Sequence, residues 1–243
     1  MKKNSTNEFF ENCKTIIFAI FIALIIRTFA AEPFNIPSGS MIPTLLIGDY
    51  LFVSKYSYGY SRHSLPYSLP LISGRILYTK PVLGDVAVFK TPTDNKTDFI
   101  KRIVGLPGDR VQVKNGTLYI NGKNIQRKRL PDAILKDFNG NSKAVIRYEE
   151  TLPNGRKYIV QEDDTNKGWL DNTPEFIVPK EHFFAMGDNR DNSSDSRVFG
   201  YIPINNLVGR AEFLFFSIKN SSAWKFWNWH SSVRVKRLFT GIK

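Results

Sequence analysis

The chain opens with one long apolar stretch. Residues 1–15 are polar and carry three lysines, residues 16–26 are apolar without interruption, and Arg27 follows directly. A helix over 13–31 would be roughly 28 Å long, close to the ~30 Å hydrocarbon core of a bilayer. The pattern therefore predicts one N-terminal transmembrane helix, with Lys14 and Arg27 extending out of the hydrocarbon at its two ends.

Two other interpretations of this stretch stay open at the level of sequence. A cleavable signal peptide would explain the short apolar run and the small-x-small site at 28–30, although an arginine directly after the run argues against cleavage. A buried helix of a soluble core fits poorly beside a lysine-bearing tail. We therefore expect residues 1–31 to be a cytoplasmic N-terminus followed by a retained anchor.

The distribution of basic residues predicts the orientation of this anchor. Three lysines precede the apolar run, whereas no Lys or Arg lies between Arg27 and Lys55. By the positive-inside rule the N-terminus lies in the cytoplasm, and residues 32–243 are exported.

Beyond the anchor the apolar runs become short and rich in Val, Ile and Phe, with Gly, Pro and Asn between them, which is typical of β-strands. The predicted strands are 85–90, 99–104, 110–113, 118–120, 183–186 and 207–218. Asn115-Gly116 and Asn121-Gly122 are favoured in tight hairpin turns. The pattern predicts a mostly β protein with an antiparallel, barrel-like sheet, a long loop at 56–81, and an insertion of weaker strands at 123–180.

Composition excludes some kinds of chemistry. Cys13 is the single cysteine, so no internal disulfide can form. His63, His182 and His230 stand far apart, and none has a second His or Cys at the spacing of metal ligands. We therefore expect no metal and no cofactor, and a Ser-His catalytic pair loses support.

The formal net charge of +12 is compatible with nucleic acid, an anionic lipid surface or a solvated basic exterior. Export of residues 32–243 argues against cytoplasmic nucleic acid as the partner. Residues 213–243 combine six Lys or Arg with Trp224, Trp227 and Trp229 and contain no acid. Tryptophan beside basic residues is typical of a surface that faces lipid headgroups, but a core strand followed by a basic tail explains the same composition.

A candidate nucleophile lies in residues 36–49, here called the serine turn. Ser38 and Ser40 flank a glycine between Pro37 and Pro43. The prolines stiffen the backbone, and Gly39 lets it bend sharply enough to present a side chain. An ordinary surface turn has the same composition.

A candidate base lies in the strand predicted at 99–104. A neutral lysine can accept a serine proton if burial lowers its pKa from ~10.4 towards 7–8. Lys101 lies between apolar pairs, and strand alternation places Lys101 and Arg102 on opposite faces. An edge strand that exposes both charges remains the alternative interpretation.

A third polar block spans 187–197 and consists mostly of Asp, Asn, Ser and Arg. Such a run is usually a solvated loop, sometimes one that binds a cation. Because it follows the predicted strand 183–186 directly, we expect it to lie against the core and to support a site through hydrogen bonds.

Together these segments resemble the signature motifs of type I signal peptidases, the bacterial leader peptidases. The matching sequences are P-S-G-S-M-x-P-T-L at 37–45, G-D-V at 84–86, K-R-x-V-G-L-P-G-D at 101–109 and G-D-N-R-D-N-S-x-D-S-R at 187–197. One motif would be weak evidence, but several unusual motifs in order are specific.

The resemblance implies a serine protease with a Ser-Lys dyad. Ser40 matches the nucleophile and Lys101 the general base. Ser38, with the backbone N–H of Ser40, matches the groups that stabilise the oxyanion. Ser193 matches the hydroxyl that orients the lysine.

The resemblance also implies supporting and substrate-binding residues. Two ion pairs, Asp188 with Arg102 and Asp195 with Arg197, are expected to brace the site. Shallow pockets would accept small side chains at the first and third positions before the cut. Their lining is expected from Phe34, Ile36, Leu45, Phe99 and Ile100.

The fold implied by the resemblance is a catalytic β domain, residues 32–109 and 180–243, with a smaller β domain inserted at 110–179. This chain departs from better-known members in having one predicted span where some have two. It also lacks the cysteine pair that forms a disulfide in some inserted domains. Neither departure affects the motifs.

The resemblance implies a single-pass endopeptidase on the outer face of the bacterial cytoplasmic membrane that removes signal peptides from exported preproteins. Its partners would be signal peptides and anionic phospholipid, with no nucleic acid, and the protein would be a monomer that contacts the export machinery transiently. One alternative is a self-cleaving Ser-Lys protein like the stress-response repressors, which would need a DNA-binding module. Another is a non-catalytic, basic membrane-surface protein in which Ser40 and Lys101 are dispensable.

Overall fold

The structure is a computed structural model that describes residues 5–136, 142–163, 168–219 and 232–242. Its first element is helix α1, Ser5–Phe29, whose apolar side chains from Ile16 onward are mostly exposed. The segment Glu8–Phe29 is long and apolar enough to cross a membrane. The helix begins earlier than the predicted 13–31 because residues 5–12 contain no Gly or Pro to stop it. It ends earlier because the chain passes into a strand at Ala31.

The remainder is almost entirely antiparallel β-structure, as predicted. The strands are β1 (Ala31–Asn35), β2 (Asp49–Ser54), β3 (Tyr60–Ser61), β4 (Arg75–Ile76), β5 (Val86–Lys90), β6 (Asp98–Gly105), β7 (Arg110–Lys114), β8 (Thr117–Ile120), β9 (Lys123–Asn124), β10 (Gln126–Lys136), β11 (Ser142–Thr151), β12 (Lys157–Asp163), β13 (Phe176–Ile177), β14 (His182–Met186), β15 (Ile202–Pro203), β16 (Leu207–Ser217) and β17 (Thr240–Gly241). One short helix, α2 (Ser196–Phe199), follows β14. All six predicted strands are present, with small differences at their ends.

Both predicted hairpin turns are present. Asn115 and Gly116 have φ of 47° and 73°, and Asn121 and Gly122 have φ of 53° and 77°. Two successive positive φ values match a type I′ turn, whose twist suits the flanking strands. These turns join β7 to β8 and β8 to β9 as antiparallel pairs.

The largest sheet has the order β1-β2-β16-β5-β6-β14-β15, with β17 added to β16. Its strands come from two separate segments, 31–105 and 182–241. The segment between them, 110–177, forms the sheets β13-β7-β8-β9 and β10-β11-β12.

Two regions differ from the sequence-based picture in detail. The predicted loop 56–81 contains the two-residue ladder β3-β4 and two single-turn helices. The weak strands expected in 123–180 include the long, well-paired β10, β11 and β12. These strands contain many charged residues, which obscure the alternation of apolar and polar positions in the sequence. In the structure opposite charges pair across the sheet, as Glu149 does with Lys157 at 3.6 Å.

The core brings the site-bearing segments together. Val104 of β6 and Phe184 of β14 pack in one buried cluster with Leu118 and Val160 from the 110–177 segment. In the described part of the chain β1 has a partner on one side only, and β14 pairs with β6 only at Arg102–Gly105. Two open strand edges, β1 and residues 98–101 of β6, are therefore available next to the serine turn.

Candidate active site

The structure brings Ser40 and Lys101 into direct contact. The Lys101 Nζ donates a hydrogen bond of 2.6 Å to the Ser40 Oγ. Lys101 projects from β6, where it lies opposite Ala87 of β5, and its ammonium group lies 5.2 Å from the centre of the Phe99 ring. Ser40 and Lys101 are 9% and 4% exposed, so the contact is shielded from water.

Burial changes the protonation of Lys101. It lowers the pKa of the Lys101 amine from 10.5 to about 8; Asp195 and Asp188 oppose this shift, while Arg197 adds to it. A charged amine loses more solvation than a neutral one when it leaves water, which explains the direction. Near pH 8 a large fraction of Lys101 is therefore neutral and able to accept the proton of the Ser40 hydroxyl.

The serine turn is held in shape by its own backbone. The Ile36 N–H donates to the Asp49 carbonyl and the Gly48 N–H donates to the Ile36 carbonyl, both at 2.9 Å. Ser38 lies on the same side as the nucleophile candidate, with its Oγ 3.4 Å from the Ser40 Oγ. Among the described residues, the Ser40 N–H donates no hydrogen bond.

The segment 187–197 packs directly on the serine turn. The Asn189 N–H donates to the Ser40 carbonyl at 3.0 Å. A Cβ at Gly187 would overlap the Ser193 Oγ and lie 2.5 Å from the Ser40 carbonyl oxygen. Only glycine allows this close approach of the two backbones.

Arg102 and Asp188 form a fully buried, two-pronged ion pair. The Arg102 Nε and Nη2 donate to the two carboxylate oxygens of Asp188, each at 2.8 Å. The Arg102 Nη1 also donates to the Gly84 carbonyl at 2.8 Å, and the Thr44 hydroxyl donates to Asp188 at 2.5 Å. One ion pair thus joins four segments that are distant in sequence.

The second expected ion pair, between Asp195 and Arg197, joins residues within the 187–197 segment. The Arg197 Nε and Nη2 donate to the Asp195 carboxylate at 2.9 and 2.8 Å, and the Gly187 N–H donates to it at 3.0 Å. Burial raises the pKa of Asp195, but Arg197, the Gly187 N–H and the Ser193 hydroxyl all lower it, and the net pKa is lowered. The carboxylate therefore stays charged and holds the segment against β14.

Ser193 is buried at the site, and its hydroxyl lies near enough to Asp195 to help lower the pKa of that carboxyl. Among the described residues, its Oγ makes no hydrogen bond to Lys101. The role of orienting the lysine, implied by the resemblance, stays a prediction.

A cavity of about 910 Å³ extends from Ser40 along the two open strand edges. Four of the five residues expected in the substrate pockets line it: Phe34, Ile36, Phe99 and Ile100. The fifth, Leu45, does not line the cavity; it is fully buried in the core cluster that lies behind the serine turn. Leu45 lies within the motif in sequence, but its side chain points into the sheet.

Two groups of site residues were given no role by the sequence analysis. Asn189 and Asn192 line the cavity beside Ser40. Farther from the nucleophile, Glu150 of β11 binds Arg190 at 2.5 Å and accepts a hydrogen bond of 2.7 Å from the Tyr158 hydroxyl. Burial raises the pKa of Glu150, but Arg190 and Arg127 lower it, and the net pKa lies below the ordinary value. Glu150 and Arg190 lie 40 positions apart in the sequence, and only the fold shows that their ion pair links the 110–177 segment to the site.

The described residues contain no group of three or more His, Cys, Asp or Glu that is placed to hold a metal ion. The tryptophans at 224, 227 and 229 lie outside the described residues, as does His230.

Comparisons with known proteins match nearly the whole chain. A family model described as signal peptidase, peptidase S26, matches residues 9–216. Signal peptidase I of Rickettsia canadensis is 38% identical, over 99% of this chain and 96% of the relative. Signal peptidase I of Rickettsia typhi is 40% identical, over 93% of this chain and 90% of the relative. A crystal structure of a signal peptidase I from Enterococcus faecalis aligns with 54% of this chain and 97% of its own, at 25% identity and a TM-score of 0.32.

Proposed function

We propose that this chain, which belongs to the signal peptidase I family of serine peptidases, removes signal peptides with a Ser40–Lys101 dyad. We also propose that it cuts after small residues and that its N-terminal helix anchors it in the membrane. Membership of this hydrolase family overturns the alternative of a non-catalytic, basic surface protein. The observation that carries the proposal is the buried 2.6 Å hydrogen bond between the Lys101 Nζ and the Ser40 Oγ.

In this mechanism neutral Lys101 takes the proton of the Ser40 hydroxyl as the Oγ attacks the carbonyl carbon of the scissile bond. The protonated lysine then donates this proton to the leaving amine as the C–N bond breaks, which leaves an ester on Ser40. In the second half Lys101 takes a proton from a water molecule that attacks the ester. The signal peptide leaves as a carboxylic acid, and Ser40 recovers its proton.

The oxyanion that forms in both halves needs hydrogen-bond donors. The Ser40 N–H is free in the described structure, and the Ser38 hydroxyl lies 3.4 Å from the Ser40 Oγ. These two groups support the proposed oxyanion site. Donors of this kind act strongly because they are aimed at a charge that appears only during the reaction.

The cavity fits an extended peptide. The open edges of β1 and of residues 98–101 can each form backbone hydrogen bonds with a bound strand. Alternate side chains of an extended strand point to the same face, so the first and third residues before the cut face the same wall. Phe34, Ile36 and Ile100 line that cavity with apolar groups, which supports small, uncharged side chains at those two positions.

Cleavage of synthetic peptides tests this specificity. The full chain in detergent should cut a peptide that contains Ala-x-Ala once, directly after the second Ala. Replacing either Ala with Phe should lower kcat/KM roughly 100-fold or more, because a large side chain does not fit a shallow, packed pocket. Mass spectrometry of the products identifies the bond. The middle residue is the matched control, since its side chain points away and Phe there should be tolerated. Equal rates with Phe at all three positions would contradict the proposed pockets.

The pH dependence tests the proposed base. Lys101 acts only when neutral, and its pKa is about 8, so kcat/KM should rise with pH and reach half its plateau near pH 8. Initial rates from about pH 6 to about pH 10 measure this limb, with circular dichroism to check that the fold is unchanged. An ordinary exposed lysine would move the limb above about pH 10, and a histidine would move it towards about pH 6.5. Either result would exclude Lys101 in this environment as the base.

The anchoring proposal rests on α1 and on the charges around it. The described part of the protein does not cover the apolar run 16–26 of this helix, and three lysines precede that run in the sequence. We infer a single pass with the N-terminus in the cytoplasm and the catalytic residues on the outer face of the cytoplasmic membrane. The arrangement of the sheets supports a division into a catalytic β domain, 32–109 with 180–243, and an inserted β domain, 110–179.

A further inference from the structure

Asn189 holds the serine turn at two points. Its backbone N–H donates to the Ser40 carbonyl at 3.0 Å, and its side-chain Nδ2 donates to the Gly39 carbonyl at 3.0 Å. Asn189 is 6% exposed and lies 150 residues after Gly39 in the chain. One residue therefore binds the two carbonyl groups on either side of the nucleophile.

The bond to the Gly39 carbonyl has a consequence for the neighbouring N–H. The Gly39 carbonyl and the Ser40 N–H belong to one planar trans peptide unit, in which the C=O and the N–H point in opposite directions. Fixing the oxygen therefore fixes the direction of the Ser40 N–H, which has no acceptor among the described residues. A hydrogen bond to the carbonyl also polarises the peptide unit and strengthens its N–H as a donor.

The surroundings of Asn189 determine which end of its amide faces Gly39. The Asn189 Oδ1 accepts hydrogen bonds from the Gln161 Nε2 at 3.3 Å and the Asn192 Nδ2 at 3.4 Å. The Gly39 carbonyl can only accept, so the Asn189 nitrogen faces it and the Asn189 oxygen faces the two amide donors. Gln161 belongs to β12, and its N–H donates to the Asp188 carbonyl at 2.9 Å. The 110–177 segment thus reaches the serine turn through Gln161.

We propose that Asn189 is a positioning residue that aims the Ser40 N–H at the oxyanion, and that Gln161 keeps the Asn189 amide in the required orientation. This inference rests on the proposed function, since it assigns the Ser40 N–H as an oxyanion donor. It concerns the orientation of that donor, not the base, and it predicts a defect in the reaction step rather than in substrate binding.

The test compares Asn189→Ala with Asn206→Ala in the full chain. Asn206 is 5% exposed, and its Nδ2 donates to the Lys90 carbonyl at 2.9 Å, so it matches Asn189 in type and burial but lies outside the site. Both variants keep the backbone N–H. Asn189→Ala should lower kcat about 10- to 100-fold, below the loss for a deleted oxyanion donor, with KM changed less than about 3-fold. Gln161→Ala should show the same pattern with a smaller loss, and Asn206→Ala should keep the wild-type kcat.

A peptide aldehyde that ends in Ala supplies a readout that a general structural defect would not reproduce. The Ser40 Oγ bonds to the aldehyde carbon, its proton passes to Lys101, and the aldehyde oxygen becomes the oxyanion. The inhibition constant in Asn189→Ala should rise by the same factor as kcat/KM falls, while affinity for the cleaved signal-peptide product stays unchanged. The limb near pH 8 should also stay in place, because the base is untouched.

An unchanged aldehyde affinity, a shifted pH limb or a defect confined to KM would each overturn the inference. Ser40→Ala serves as the reference for the proposed function. If Ser40→Ala is inactive and Asn189→Ala has the wild-type kcat, only the role of Asn189 is wrong. If Ser40→Ala still cleaves the peptide, the proposed dyad itself is wrong.

Discussion

Lys101→Met should abolish peptide cleavage, with kcat falling roughly 10⁴-fold or more, because no other basic side chain of the described residues forms a hydrogen bond with the Ser40 Oγ. The only hydrogen bond of the Lys101 Nζ within the described residues is the one to Ser40. Methionine fills a similar volume without a charge, so the buried site should tolerate it and the melting temperature should not fall. Single-turnover cleavage, followed by mass spectrometry, measures the rate.

Two further variants separate the base from the positive charge and from the nucleophile. Lys101→Arg should be equally inactive, since a guanidinium remains protonated at any pH the protein survives. Ser40→Ala should lose activity to the same extent, and the double variant should be no worse than either single one, because the two residues act as a unit.

Lys55 is the matched control for Lys101. It is a second buried lysine, 2% exposed, whose pKa is also lowered by burial, although Glu32 opposes the shift. Its Nζ donates to the Ser64 carbonyl at 2.8 Å and lies 2.9 Å from Glu32, away from the serine turn. Lys55→Met should therefore retain cleavage. Substantial cleavage by Lys101→Met would show that Lys101 is not the base. Loss of cleavage in Lys55→Met alone would show that the buried Lys55, which does not contact Ser40, is the lysine that the reaction needs.

The second large effect concerns stability. Asp188→Ala should destabilise the fold by about 3–5 kcal/mol, because it removes the carboxylate that neutralises the buried Arg102 guanidinium. Arg102 and Asp188 are each 1% exposed, so water cannot replace the lost carboxylate. Burial alone would lower the pKa of Arg102, but Asp188 raises it above its ordinary value, which shows how strongly the carboxylate stabilises the charged form. Urea denaturation of the full chain in detergent measures the change.

The exposed pair Arg129–Asp132 supplies the control for this experiment. Its ions lie 2.7 Å apart, but their side chains are 51% and 52% exposed. Solvent screens such a pair, and Asp132→Ala should leave the free energy of unfolding unchanged within error. Replacing both members of the buried pair, as Arg102→Met with Asp188→Leu, should recover part of the loss, because neither partner is then left as an unpaired charge. Equal destabilisation by the single and double variants would contradict this account.

Local pattern was sufficient for most of the secondary structure. The uninterrupted apolar run predicted α1, the short Val-rich and Ile-rich runs predicted β5 to β8, β14 and β16, and the two Asn-Gly pairs predicted the hairpin turns. Pattern failed at β10 to β12, where alternation of apolar and polar residues is obscured by charges. Those charges pair across strands or enter the buried network around Glu150, which no local window contains.

The residues of the candidate site also fall into two groups: those that the sequence motifs indicated and those that only the fold revealed. The motif resemblance singled out Ser40 and Lys101, which lie in direct contact in the structure, and the two ion pairs, which are both present, because these residues lie at fixed places in unusual sequences. It placed Leu45 in the substrate pocket, whereas the fold turns that side chain into the core. It also contained Asn189 without indicating any function for it, since the contact of that residue with Gly39 spans 150 positions.

The sequence by itself determined the long apolar N-terminal helix, the β-rich composition and the family, because helical and strand periodicity, turn preferences and contiguous motifs are properties of neighbouring residues. Only the tertiary structure decided which distant groups meet, since Ser40 and Lys101 are 61 positions apart and come within 2.6 Å after the strands have paired. It also decided the protonation of Lys101, the proposed base. The pKa of Lys101 is lowered to about 8 by burial, and burial exists only when the sheets have closed around the amine and excluded water.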